Sequence, residues 1–376
     1  MRTDFEKWLV VIGLMLFFTL LGFAQDSSPT PTPPDEKINI LTEEVRLNVT
    51  AQYSNGKFVP NLTADDLLIV ESGDPQTITS MKRVPANVLL LLDTGSELNF
   101  VKSTATTRIT AKILIANLEA NDSLAVVQYN DKIETVADWI KKSEFDLSSL
   151  DNKLFSGRRS RFAEAVNAAI AIFKSRPTEN RHLVLISDGA ESVADEVKRR
   201  QALQNLLAAG VTIHIISYTQ LEEQSAKQAT RRIRIEKEKT PPRIPDYIMD
   251  IILQTLPYNE RKILKALNES QRLIVITLDN KMIKVVRQKH EVWRKNEIEF
   301  RDLANDSGGV FQAPESLETM WGFAVEVAHA VDANYVITYT PKTPIAESPN
   351  NEPRKIRVGT HRNGVQIRSR QKIVTN

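Results

Sequence analysis

Residues 88–92 read VLLLL and stop at Asp93; residues 183–186 read LVLI and stop at Ser187 and Asp188. Runs of four or five aliphatic residues are too short for a buried helix. They suit strands covered on both faces, as in a parallel sheet clad by helices. Residues 124–127 (LAVV) and 211–216 (VTIHII) repeat the pattern. Between the runs lie helical stripes: Ile109, Ile113, Leu114, Ala116 and Leu118; then Phe162, Val166, Ala169, Ile170 and Phe173; then residues 197–208, closed by Gly210 as a C-cap. Residues 133–139 read as an antiparallel edge. The alternation predicts an α/β fold, doubly wound, with a mostly parallel sheet and helices on both faces.

The segments on either side follow a different rule. Val45, Leu47 and Val49 alternate with polar residues, Ser54-Asn55-Gly56-Lys57 has hairpin-turn chemistry, and residues 67–70 (LLIV) form another short strand. No second apolar face is nearby to cover them. Near the other end, residues 335–339 (YVITY), 355–358 and 364–369 are again β-like, after a helix over 317–331. The two flanks are therefore expected to pack together as one small β-domain. Residues 221–300 break the rhythm, with a polar start, Pro241-Pro242 and a basic stretch over 281–295; strand and helix both stay open there, and a helix is expected over 300–305.

The first residues read as a targeting segment. Arg2 and Lys7 precede residues 8–23, WLVVIGLMLFFTLLGF, and small residues surround Ala24. A basic start, an apolar run of roughly 15 residues and a small-residue site describe a secretory signal peptide. The alternative is an uncleaved anchor, for which the run is short against the ~30 Å hydrocarbon core. Either way the rest of the chain is expected outside the cytoplasm, secreted or periplasmic, with membrane attachment through this segment as the second form. Residues 25–36 hold a Pro-rich spacer, SSPTPTPP. The expected organisation is thus 1–24 signal peptide or anchor, 25–36 linker, 37–84 N-terminal β flank, 85–332 α/β domain with its insertion at 221–300, and 333–376 C-terminal β flank.

Composition narrows the chemistry. The chain has no cysteine, which removes disulfides, thiolate zinc sites and thiol nucleophiles. Its net charge of +2 gives no field that would draw the whole molecule to nucleic acid, and no nucleic-acid partner is expected. His214 lies inside a strand and reads as a core residue. No Gly-x-Ser-x-Gly elbow surrounds Ser187, and no Gly-rich phosphate loop occurs.

In an open parallel sheet, ligands sit beyond the carboxyl ends of the strands where the topology reverses. Asp93 and Asp188 lie at such ends, and Gly157-Arg158-Arg159-Ser160 precedes a helix between them. Two carboxylates and a hydroxyl from three loops suit a hard divalent cation. They equally suit the backbone N–H groups of their own loops. In that case Arg158 or Arg159 would pair with Asp93 or Glu97 in place of an ion.

LLLLDTGSEL, SGRRSRFAEAV and HLVLISDGAE, in this order, resemble the three elements of a von Willebrand factor A (VWA) domain with its metal-ion-dependent adhesion site. Together with VRLNVTAQYSNGKFVPNLTADDLLIVESGDPQTI before and YVITYTP and PRKIRV after, they are similar to the bacterial VWFA-related family first defined in Acidobacterial proteins. The resemblance implies a Rossmann-like VWA sheet and a binding module, not an enzyme, that meets a protein ligand in the cell envelope or outside it. The family motif is Asp-x-Ser-x-Ser, then Thr, then Asp. Asp93, Ser160 and Asp188 fill the outer positions; Gly95 and Glu97 fall on the two serines, or Ser96 does under a one-residue deletion. Arg158 and Arg159 stand where the family usually has glycines. The implied ion is Mg²⁺, or Mn²⁺ or Ca²⁺, at a degenerate site of Asp93, Ser96, Glu97, Ser160 and Asp188. The implied partner contacts are Asp93, Ser160, Asp188, Arg158 and Arg159. A carboxylate-dependent hydrolase and a purely structural envelope protein are the alternatives.

Overall fold

The structure is a computed structural model that describes residues 44–95, 100–192, 195–235, 246–255, 261–262, 275–343 and 353–373. The signal segment, the Pro-rich linker, Ser96 and Glu97 lie outside the described residues. Everything described belongs to one unit, Glu43–Asn376.

Six strands form the central sheet: β5 (Asn87–Asp93), β6 (Ser123–Tyr129), β7 (Ile133–Lys141), β8 (Arg181–Ser187), β9 (Thr212–Ser217) and β10 (Phe311–Gln312), in the order β10-β9-β8-β5-β6-β7. All neighbours are parallel except β7, the antiparallel edge. All seven residues of β5 are buried, and their alternation divides two cores. Val88, Leu90 and Leu92 pack with helices α1 (Thr104–Ala116) and α8 (Leu317–Asp332). Leu89 and Leu91 pack with α3 (Phe162–Phe173), α4 (Glu196–Ala208) and α7 (Val275–Ser307). A strand apolar on both faces is what two helical layers require.

Two helices differ from the expectation in instructive ways. In α1 the buried stripe is Thr107, Thr110, Ala111, Leu114 and Ile115, while Ile109 is 43% exposed. The threonines go inside because their hydroxyls are satisfied there: Thr107 Oγ1 bonds the Asp93 carbonyl and the Tyr218 hydroxyl, and Thr110 Oγ1 donates to the Thr106 carbonyl. The helix expected over 300–305 is only the end of α7, which runs 33 residues through the basic stretch. Trp293, Asn296, Phe300, Leu303, Ala304 and Ser307 are buried at helical spacing, so the end of the rhythm-breaking segment is core and not appendage. Two further helices, α5 (Thr219–Ile235) and α6 (Asp246–Thr255), precede it; the short α2 (Ser149–Lys153) follows β7.

The flanks pair across the chain. Strand β1 (Val45–Tyr53) lies between β11 (Asn334–Tyr339) and β13 (Val365–Ser369), with β4 (Ile78–Lys82) beyond β11. In a second antiparallel sheet, β12 (Arg354–Thr360) lies between β2 (Leu67–Glu71) and β14 (Lys372–Ile373), with β3 (Asp74–Gln76) at the edge beyond β2. Leu47, Val49, Ile69, Ile337, Tyr339 and Ile356 share the core between these sheets. The expected antiparallel flank module is present. The hairpin turn after β1 is closed by the Tyr53 N–H donating to the Lys57 carbonyl at 2.8 Å, with Gly56 at φ +79°.

Candidate functional site

The sheet order reverses at β5, because the chain runs to β6 on one side and to β8 on the other. The crevice at the carboxyl ends of β5 and β8 is therefore where the fold gathers side chains. Three loops meet there. The Gly157 N–H donates to the Thr94 carbonyl, and Gly95 bridges Gly157 in parallel. The Ser160 N–H donates to Ser192 Oγ, and the Ser192 N–H returns to the Ser160 carbonyl.

Asp93, Ser160 and Asp188 are brought together, and all three are fully buried. Asp93 Oδ1 accepts from the Gly95 N–H at 3.1 Å and from Ser160 Oγ at 2.9 Å. Its Oδ2 accepts from Ser187 Oγ at 2.8 Å and from the Lys102 ammonium at 2.9 Å. The same ammonium donates to Asp188 Oδ1 at 2.7 Å, and the Lys102 side chain is 1% exposed. Ser187 is held in turn by the Tyr129 hydroxyl at 2.7 Å.

The loop that delivers Lys102 is fixed by another buried acid. Glu222, in the first turn of α5, accepts the backbone N–H groups of Phe100, Val101 and Lys102 at 2.6, 2.8 and 2.5 Å. The long helix α7 also reaches the site: Asn296 donates to the Asp188 carbonyl, and Arg199 bonds Asn296, Glu299 and the Gly189 carbonyl.

Burial and charge compete over these groups. Burial pushes the Asp93 carboxyl above its ordinary range, with Lys102 pulling the other way. Burial acts upward on Asp188 too, but there the Lys102 charge and hydrogen bond outweigh it and hold the carboxyl low. Burial disfavours the Lys102 ammonium, yet Asp188 and Asp93 overcome that cost and raise its pKa, so it stays charged. Glu222 is pushed up by burial against its three N–H donors.

The described residues do not fit a divalent ion as the adhesion motif implies. Asp93 already has both oxygens doubly occupied, the full complement of roughly four acceptor sites of a carboxylate. Gly95 brings no oxygen, and a Cβ there would fall inside contact distance of Ser160 Oγ and 2.5 Å from the Arg159 carbonyl oxygen. Among the described residues no cluster of three or more histidine, aspartate or glutamate side chains is placed to hold a metal.

Arg158 and Arg159 pair with none of these carboxylates; both are exposed in the loop that leads to Ser160. The Arg158 N–H is anchored to Asp131 Oδ2 at 2.7 Å, and nearby Phe155 is 60% exposed. His214 is buried against His182 at 3.0 Å, near the starts of β8 and β9 and away from the rim. Burial holds both rings neutral, pushing His214 down to about 3 and His182 well below its usual value. A cleft of about 870 Å³ lies beside β10, and none of the rim carboxylates lines it.

Lys102, Glu222, Ser187 and Tyr129 were not legible as site residues. Glu222 carried a faint signal, since it lies in the first turn of the helix that follows β9, the neighbour of β8. Lys102 carried none: it lies in a loop with no motif, and only the fold turns it inward.

No curated protein matches the chain. Solved structures that resemble it include proximal thread matrix protein 1 from the mussel byssus (15% identity, 35% of this chain and 37% of that one, TM-score 0.31). BatB from Bacteroides thetaiotaomicron is another (18% identity, 35% and 65%, TM-score 0.29). A von Willebrand factor type A protein from Catenulispora acidiphila covers more (8% identity, 89% and 74%, TM-score 0.42). This chain thus spans less than two thirds of the first two. The sequence model of the von Willebrand factor type A domain matches residues 87–242, the stretch that holds β5 to β9 and the buried carboxylates. Residues 87–242 of this chain therefore form a von Willebrand factor type A domain, a class of domain that serves in general for binding.

Proposed function

We propose that this chain is an exported recognition module that docks an acidic protein partner of the cell envelope or exterior through the loop over residues 155–161. One observation carries the reading: the strand-end acids, serines and Lys102 bond to one another in the interior, while Phe155, Arg158 and Arg159 are exposed in the loop that leads to Ser160. Arginine and aromatic side chains dominate binding energy at protein interfaces. Two adjacent arginines favour a partner of opposite charge and speed its encounter. Export rests on the apolar segment at residues 8–23, which either releases the chain or retains it at the membrane. The hydrolase reading gains no support, since Asp93 and Asp188 are fully buried and bridged by Lys102.

The test is affinity capture from envelope extract with the wild type and with Arg158→Glu/Arg159→Glu, each with and without chelator. Expected is a partner retained under chelation and lost on charge reversal, with binding that weakens as salt rises. Capture indifferent to the charge reversal would overturn the proposal.

A further inference from the structure

A domain with Gly95 where the adhesion motif has its first serine still has to balance two acids at adjacent strand ends. In this chain the balance is internal. The Lys102 ammonium lies 2.9 Å from Asp93 Oδ2 and 2.7 Å from Asp188 Oδ1, with the side chain 1% exposed. Its placement is not incidental, because Glu222 grips three consecutive backbone N–H groups of the loop and ends at Lys102 itself. Just beyond, Ser103 caps α1 by accepting from the Thr106 N–H at 3.1 Å, which fixes the other side of the residue.

We infer that Lys102 is the resident cation of this site: its ammonium stands between the two strand-end carboxylates in place of a divalent ion, and the domain is metal-independent as a result. The acceptor inventory supports this. Every acceptor site of Asp93 is used, and the first serine position of the motif is Gly95, which has no room for a side chain. A divalent ion brought between the same oxygens would meet a fixed positive charge. The substitution also changes what the site does. Mg²⁺ commonly keeps waters that a ligand oxygen can replace, whereas this ammonium is sealed from solvent. It clamps β5, β8 and the entry to α1 together, and a partner's carboxylate does not reach it.

The test needs no partner, so its outcome is separate from that of the docking proposal. Titration calorimetry and thermal melting are run on the full chain with Mg²⁺, Mn²⁺ or Ca²⁺ and with EDTA. Wild type is expected to give flat traces and an unchanged melting temperature. Lys102→Ala frees Asp93 Oδ2 and Asp188 Oδ1, next to Asp188 Oδ2, which accepts no hydrogen bond. That variant is expected to melt lower than wild type without metal and to gain both a binding isotherm and a rise in melting temperature with Mn²⁺. Recovery of folding by Mn²⁺ counts the same way if it is unfolded alone. A wild-type protein that binds a divalent ion and is stabilised by it overturns the inference, as does a folded Lys102→Ala that binds none. If Lys102→Ala folds under no condition, the wild-type arm decides.

Discussion

Gly95 leaves more than a blank in a ligand set. The space that a serine side chain would use is filled by Ser160 Oγ and the Arg159 carbonyl, drawn in by the bridge between Gly95 and Gly157. Restoring the family residue should therefore damage the protein and not revive a metal site. Gly95→Ser is expected to cost about 1–3 kcal/mol through overpacking, read as a lower denaturation midpoint, with no gain in Mn²⁺ affinity. The pH behaviour of the buried cluster follows from its signs. The pKa of Lys102 is raised above its unfolded value of 10.5, so the stability it contributes is fully present below that value and is lost progressively as pH rises from there through the folded value. At this scale the sequence revealed about half of the site. Asp93, Ser160 and Asp188 announce themselves by following aliphatic runs or preceding a helix. Lys102 does not, because a single lysine in a polar loop looks the same whether it faces water or two buried acids.

Helix α8 ends on Asp332, which meets Asp122 in the turn before β6. Asp122 Oδ1 accepts the Ala86 N–H at 2.7 Å, at the point where the chain enters β5. Asp122 Oδ2 and Asp332 Oδ1 are each buried without a donor, the arrangement in which two carboxyls share one proton. Burial, with Asp122 adding to it, pushes Asp332 up to about 8. An acid raised in the folded state releases its proton first in the unfolded chain, so stability falls as pH rises from its ordinary value of 3.8 towards 8. The melting temperature should decline across pH 5 to 8, and Asp332→Asn should flatten that slope. A slope equally steep in the variant would refute the shared proton. Elements themselves were legible where periodicity was strong. The strands of the central sheet and α3 follow from aliphatic runs and one apolar stripe. The face of α1 did not, since buried threonines read as polar. The course of α7 did not either, because its anchors Trp293, Phe300 and Leu303 are diluted by basic residues that face water.

The molecule as a whole is tied together by its flanks. The α/β architecture and the flank module were both apparent from two incompatible periodicities in one chain, while the pairing between distant strands rested only on each flank needing a cover. Within the module, Arg354 on β12 pairs with Glu71 on β2 at 3.3 Å, and both side chains are buried. Removing one partner of such a pair leaves an uncompensated charge, so Arg354→Ala should cost about 3–5 kcal/mol. Hydrogen exchange should show the loss in β1, β2 and β12, with β5 and β8 still protected; equal loss in both regions would mean that the module is not a separate cooperative unit.

Strand β1 is hydrogen-bonded on one side to residues 334–339 and on the other to residues 365–369. A ribosome makes it hundreds of residues before it makes either neighbour. Until then its apolar face and both of its edges stay open, which is the condition that invites aggregation and proteolysis. A product that stops short of residue 369 keeps that liability permanently, so β1 reports whether translation reached β13.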